Sequence, residues 1–200
     1  MVPTPEAWVA PSMVVAACAL LFTVGSFWWL YARPGRLLMT EVRTFAALIQ
    51  TGGAVLRIPV TLYNTGAKPL VVADLRLSLA SAGLASMALA ANFRKSVRTS
   101  EDDVDDFTYP FVVPGRSVVT KFVEFGAKPT IMATGEPTLA RLEVLVSHRG
   151  WRRAGECVIR TDSISRPESY IAYSNDPDDW VSDHLERAHA ALARVRTSLE

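Results

Sequence analysis

Two hundred residues carry 21 Lys and Arg against 20 Asp and Glu, a net charge of +1, and 50% of them are hydrophobic. A balance this even lacks the clustered basic face that nucleic-acid binding requires, so nucleic acid is not expected as a partner. The length suits one ordinary domain with a single core, and two cysteines, Cys18 and Cys157, lean toward a reducing compartment rather than a disulfide scaffold.

In chain order the sequence divides into a short tail (1–6), an apolar run (7–32), a basic flank (33–36), a strand-rich region (37–174) and a terminal helical pattern (175–200). From Ala7 to Ala32 no residue is charged. About 20 apolar residues in a helix cross a hydrocarbon core about 30 Å thick, so this run predicts a single transmembrane helix. Trp8 stands at one end, and Trp28, Trp29 and Tyr31 at the other, where aromatic rings favour the headgroup layer. With Arg33 and Arg36 they form the expected anchor and interface, and the lipid bilayer is the first partner.

Two other readings of the run compete. A cleaved signal peptide has a basic start and a core of about 7–15 apolar residues, whereas the first twelve residues here contain no Lys or Arg and the run is far longer. Val15-Ala16-Ala17-Cys18 resembles a bacterial lipobox, but the residues after Cys18 (A-L-L-F-T-V-G-S-F-W-W-L) belong in lipid. An uncleaved anchor accounts best for both. Basic residues beside a span are retained in the cytoplasm, and Arg33, Arg36 and Arg43 face only Glu41. The large C-terminal domain is therefore expected inside the cell membrane. The opposite topology is the alternative.

Past the helix-breaking Arg33-Pro34-Gly35-Arg36, a first strand falls within Leu37–Ile49. Leu56, Ile58, Val60 and Leu62 then alternate with Arg57, Pro59, Thr61 and Tyr63, the period of a strand with one buried face. Pro59 lacks an N–H and predicts an edge or an outward-bonding position. Asn64 to Pro69 reads as a turn, with Asn64 and Gly66 suited to positive φ. Ala73, Leu75, Leu77 and Leu79 mark the next strand, while Ser81–Asn92 is weakly patterned, a short helix or a connection. Phe93–Thr99 is basic and Ser100–Asp106 acidic, as in an exposed loop. Further strands are expected at Phe107–Val113, at Ser117–Phe125 and at Leu139–Val146, the last returning as a hairpin through Trp151–Arg160. About seven strands with little helix between them predict a mainly β fold, an immunoglobulin-like antiparallel β-sandwich.

The terminal helix is expected to open at Asp176 as N-cap with Pro177 in its first turn and to run to Leu199. Val181, Leu185, Ala188, Leu192, Val195 and Leu199 step by 4, 3, 4, 3 and 4, an amphipathic seam. It can pack on its own sandwich, pair with a second copy or hold another protein.

Chemistry-bearing constellations are few. Glu101, Asp102, Asp103, Asp105 and Asp106 lack the glycine and spacing of a calcium loop. His184 and His189 stand five apart, about 140° around a helix, and so do not share a metal ion. No phosphate-binding or dinucleotide-binding glycine motif occurs. Trp151-Arg152-Arg153 beside Arg149 forms a basic-aromatic hairpin patch that suits anionic lipid or an acidic partner, or simply solubilises a hairpin tip. These features predict no catalytic residues, no metal and no cofactor. The expected function is a non-catalytic protein-interaction or scaffold module at the cytoplasmic face of a bacterial-type membrane. Alternatives are an envelope-facing binding module of the same fold and an accessory subunit of a membrane complex.

Overall fold

Alternation in residues 55–64 and 70–81 builds the two strands on which the domain is framed. The computed structural model describes residues 11–98, 100, 103, 106–147 and 150–199. Helix α1 (Pro11–Phe27) continues through a π-helical turn at Trp28–Ala32 and leads, among the described residues, into eleven strands. These are β1 (Leu37–Met39), β2 (Thr44–Gln50), β3 (Gly53–Asn64), β4 (Leu70–Ser81), β5 (Leu84–Arg94) and β6 (Asp106–Phe107). They continue with β7 (Phe111–Val113), β8 (Val118–Ala127), β9 (Thr138–Val146), β10 (Gly150–Ile159) and β11 (Ile171–Ser174). A short α2 (Pro129–Met132) precedes β9, and α3 (His184–Leu199) closes the chain. Strands make up 46% of the chain, so the fold is mainly β.

All pairings are antiparallel, along the path β10-β9-β4-β5-β8-β3-β2-β11. Strand β5 joins two limbs. Its first half, Leu84–Leu89, pairs with β4, and its second half pairs with β8 from Ala90 on, with an irregularity between Ala90 and Asn92. The vacated edge of β4 takes β7, and β1 extends the register of β3. Buried residues of both limbs meet in one cluster: Leu56, Ile58, Val60 and Leu62 of β3 share it with Leu75, Leu77 and Leu79 of β4. Inward residues at every second position explain why the alternation is legible in the sequence.

Several elements differ from the expectation. The weakly patterned Ser81–Asn92 stretch is strand, because a two-residue turn at Ala82 and Gly83, with φ of 49° and 78°, folds β5 directly back on β4. Both central residues of such a turn need positive φ, and cross-strand pairing outweighs the low strand preference of alanine. Leu37–Ile49 holds two strands rather than one. Pro59 lies on an inner strand, but β2 leaves β3 at Arg57 and β1 joins it only at Leu62, so the proline falls where the second edge has no ladder. Neither Asn64 nor Gly66 takes a positive φ.

The terminal helix also starts later. Asp176 does cap a turn, its side chain accepting from the Asp178 N–H at 3.1 Å, but that turn is 3-10 and ends at Asp179. The α-helix begins at His184.

Candidate functional site

The structure joins α1 to the β domain through a built foot rather than a loose linker. The π turn closes with the Arg33 N–H donating to the Trp28 carbonyl at 2.8 Å. Carbonyls at a helix C-terminus have no partner within the helix, and one of them, on Trp29, accepts from the Arg116 guanidinium at 2.5 Å. Arg116 takes a left-handed backbone (φ 53°), an uncommon state for a non-glycine residue. Its cation also suits the negative end of the helix dipole. The Arg33 guanidinium lies 4.2 Å from the Trp29 ring centre.

Below this, segment 33–36 is stitched to the 64–68 turn. Ala67 N–H donates to the Arg33 carbonyl at 3.0 Å, Thr65 N–H to the Arg36 carbonyl at 3.1 Å, and Arg36 N–H to the Thr65 hydroxyl at 3.0 Å. Asn64, fully buried, holds the turn by donating to the Lys68 and Val113 carbonyls and accepting from the Gly66 N–H. Gly35 and Gly66 touch backbone to backbone: a Cβ on Gly66 would stand 2.2 Å from the Gly35 nitrogen. That contact, not a positive φ, is why position 66 needs glycine.

Helix α1 with its π turn spans Pro11–Ala32, 22 residues of mean hydropathy 2.0, and no part of it is buried by the domain. Trp28, Trp29 and Tyr31 are exposed at its end. Trp8 lies outside the described residues. Arg36 is exposed and Arg33 half-buried at the foot.

Beside the foot opens a cleft of about 370 Å³. Arg36 on one side and Arg152 and Arg153 on the other give it a basic lining, and Leu38, Leu70 and Val146 contribute apolar surface. The structure brings Arg152 and Arg153 of the hairpin patch to the juxtamembrane arginine because β1 packs against β10. Trp151 is engaged separately, under the Arg76 guanidinium at 4.4 Å. His148 and Arg149 lie outside the described residues.

The terminal seam faces its own domain. Ala188, Leu192 and Val195 are buried, Leu185 and Leu199 half-buried, and Val181 lies before α3 and is 60% exposed. Arg196 fastens the helix by donating to the Ala133 carbonyl at 3.0 Å. An apolar row points outward on β5, where Ala85, Met87, Leu89 and Ala91 line alternate positions, Ala85, Leu89 and Ala91 exposed and Met87 with them. Leu89 is 58% exposed and Met87 61%.

Sequence reasoning missed the buried ionic centre of the molecule. Arg57 faces Glu124 across β3 and β8 and is 2% exposed. Its guanidinium donates to Glu124 Oε1 at 2.8 Å, to Asp103 Oδ2 at 2.5 Å, to the Tyr170 hydroxyl at 3.0 Å and to the Ser96 carbonyl at 3.0 Å. Arg94 pairs with Glu124 Oε2 at 2.9 Å, and Tyr170 donates to Oε1. Burial pushes Glu124 up, yet the hydrogen bonds from Tyr170, Arg94 and Arg57 outweigh it and leave the carboxyl below the ordinary carboxylate range. Burial, with the Glu124 hydrogen bond second, raises the Tyr170 hydroxyl well above the usual phenol range. Two cations and two anions balance, so the cluster is a clamp holding Ser96, Asp103 and Tyr170 to the sheet. The only sequence signal for it is a single arginine in an otherwise apolar-rich strand.

Of the acidic run, Asp103 and Asp106 are described, and Asp103 belongs to this clamp. Among the described residues no group of three His, Cys, Asp or Glu lies close enough to hold one metal ion. Cys157 is pushed up to about 11, chiefly by burial.

No protein-family model matches the sequence, and no curated protein matches it. Solved structures that align with the fold include a protein from Archaeoglobus fulgidus, at 12% identity over 68% of this chain and 96% of that one, with a TM-score of 0.34. Spo0M, a sporulation control protein from Bacillus subtilis, aligns at 6% identity over 63% of this chain and 46% of that one, with a TM-score of 0.28. At these scores the likeness transfers nothing to this chain.

Proposed function

We propose that this chain is a non-catalytic, single-pass membrane protein whose immunoglobulin-like β-sandwich acts as a protein-interaction or scaffold module at the cytoplasmic face. The observation that carries the reading is the pairing of an apolar helix that the domain leaves unburied with a hydrogen-bonded foot. A helix of 22 residues with mean hydropathy 2.0 is long enough to span a bilayer, and a signal core of about 7–15 would be shorter. Engagement of the Trp29 carbonyl and Arg33 by the domain supports a helix that stays attached. Two β limbs around one core support the sandwich description.

The outward apolar row on β5 is the surface offered to a protein partner, since the α3 seam is occupied by the domain's own core. Self-association through α3 would require that helix to undock. Arginines 33, 36 and 43 favour the cytoplasmic side.

The test has two parts. After alkaline carbonate extraction the chain stays in the membrane pellet, and its release would sink the anchor. Protease added to intact cells leaves the C-terminal domain whole and cuts it only after lysis. Digestion from outside would overturn the cytoplasmic placement in favour of an envelope-facing module.

A further inference from the structure

The cleft beside the foot has the lining of a ligand site. Its volume, about 370 Å³, falls within the range of small-molecule sites. Arg36 and Arg152 reach it from separate elements, and their guanidinium groups have no hydrogen bond or ion pair among the described residues. Arg153 shares Glu156 with Arg141, so one carboxylate is divided between two cations. Excess positive charge therefore remains at the cleft. Guanidinium groups match phosphate oxygens in geometry and charge. Leu38, Leu70 and Val146 beside them suit the glycerol and the first methylenes of an acyl chain.

Position selects the source of that phosphate. Gly35 and Arg36 line the cleft, and Gly35 is three residues beyond the end of the apolar helix. Three residues of extended chain reach at most about 10 Å. The headgroup layer is about 5–8 Å deep on each side of the hydrocarbon core. With α1 in the bilayer, the cleft opens at headgroup level, where lipid phosphates are the most concentrated anions.

We propose that this cleft binds the phosphate of an anionic phospholipid from the adjoining leaflet, an inference that rests on reading α1 as a membrane span. The site would couple the hairpin of β9 and β10 to the membrane surface and set the domain's orientation on it.

The test is native mass spectrometry of the full chain in mild detergent, titrated with phosphatidylglycerol or phosphatidylcholine. Phosphatidylglycerol should bind about tenfold or more tightly. Both lipids present one phosphate, but the trimethylammonium of phosphatidylcholine offsets the charge that the two arginines read, each arginine being worth about 1 kcal/mol toward anionic lipid. The paired substitution Arg36→Gln and Arg152→Gln should abolish the preference. Leu38→Trp, which fills the apolar side and leaves every charge in place, should also abolish it and decides the matter if the paired variant does not fold. Arg187→Gln, on the exposed face of α3, serves as the control and should retain it. Equal binding of the two lipids, or a preference kept by a folded variant of either kind, overturns the proposal. Displacement of the lipid by millimolar inorganic phosphate would assign the cleft to a soluble phosphate and overturn the lipid source. A chain that pellets with membranes but shows no headgroup preference fails this inference alone, whereas release by carbonate fails the anchor reading beneath it.

Discussion

Replacing Arg57 by alanine lowers the stability of the β domain by about 3–5 kcal/mol, the usual cost of removing one partner from a buried ion pair. For a chain of this size that is a fall in Tm of about 6–20 °C, read by near-UV circular dichroism of the full chain in mild detergent. The size follows from what stays behind. Glu124 is 4% exposed and would keep its charge with only Arg94, Asn92 and Tyr170 for partners. Asp103 would lose its bond to Arg57 and the Ser96 carbonyl its donor. Ser96, Asp103 and Tyr170 would loosen together, because one guanidinium holds all three. A Tm change no larger than that of the exposed Arg187→Ala would refute the clamp.

The same centre sets an acid limit. Because the folded pKa of Glu124 is depressed from its ordinary 4.5, the stability it contributes is complete above that value and is lost as pH falls through the lowered one. The wild-type chain should therefore destabilise more steeply below pH 4.5 than Glu124→Gln, whose neutral side chain does not titrate.

Gly66→Ala detaches the foot without unfolding the domain. The added methyl would lie 2.2 Å from the Gly35 nitrogen and 2.3 Å from its Cα, and backbone cannot move aside as a side-chain tip does. Segment 33–36 and the 64–68 turn must part, breaking the bonds between Arg36 and Thr65 and between Arg33 and Ala67. Overpacking of this kind costs about 1–3 kcal/mol. Limited proteolysis between Ala32 and Leu37 should accelerate about tenfold, since each 1.4 kcal/mol is tenfold in an equilibrium. Gly52→Ala is the matched control, with nothing within 4 Å of the new methyl. Equal cleavage rates in the two variants would show that the foot is not held by the glycine contact.

Much of this architecture is local and so is written in the chain. The apolar run 7–32, the period-two alternation of Leu56–Leu62 and Leu75–Leu79, and the hairpin of β9 and β10 depend on patterns within a few residues. The α3 seam was equally legible as a stripe, although its partner was not. What tertiary structure alone decided are the positions where two distant segments meet. Alternation assigns Arg57 to the open face of β3, but Asp103, Tyr170 and the Ser96 carbonyl close over that face and make it a buried ionic centre. Ser81–Asn92 became a strand because β4 and β8 both offered it an edge. Glycine at 66 answers to the backbone of Gly35, 31 positions earlier, and Arg36 meets Arg152 only because β1 lies against β10. Periodicity reports which face of one element is apolar. Which charge is buried, and which cleft gathers arginines, depends on what long-range folding lays on the other face.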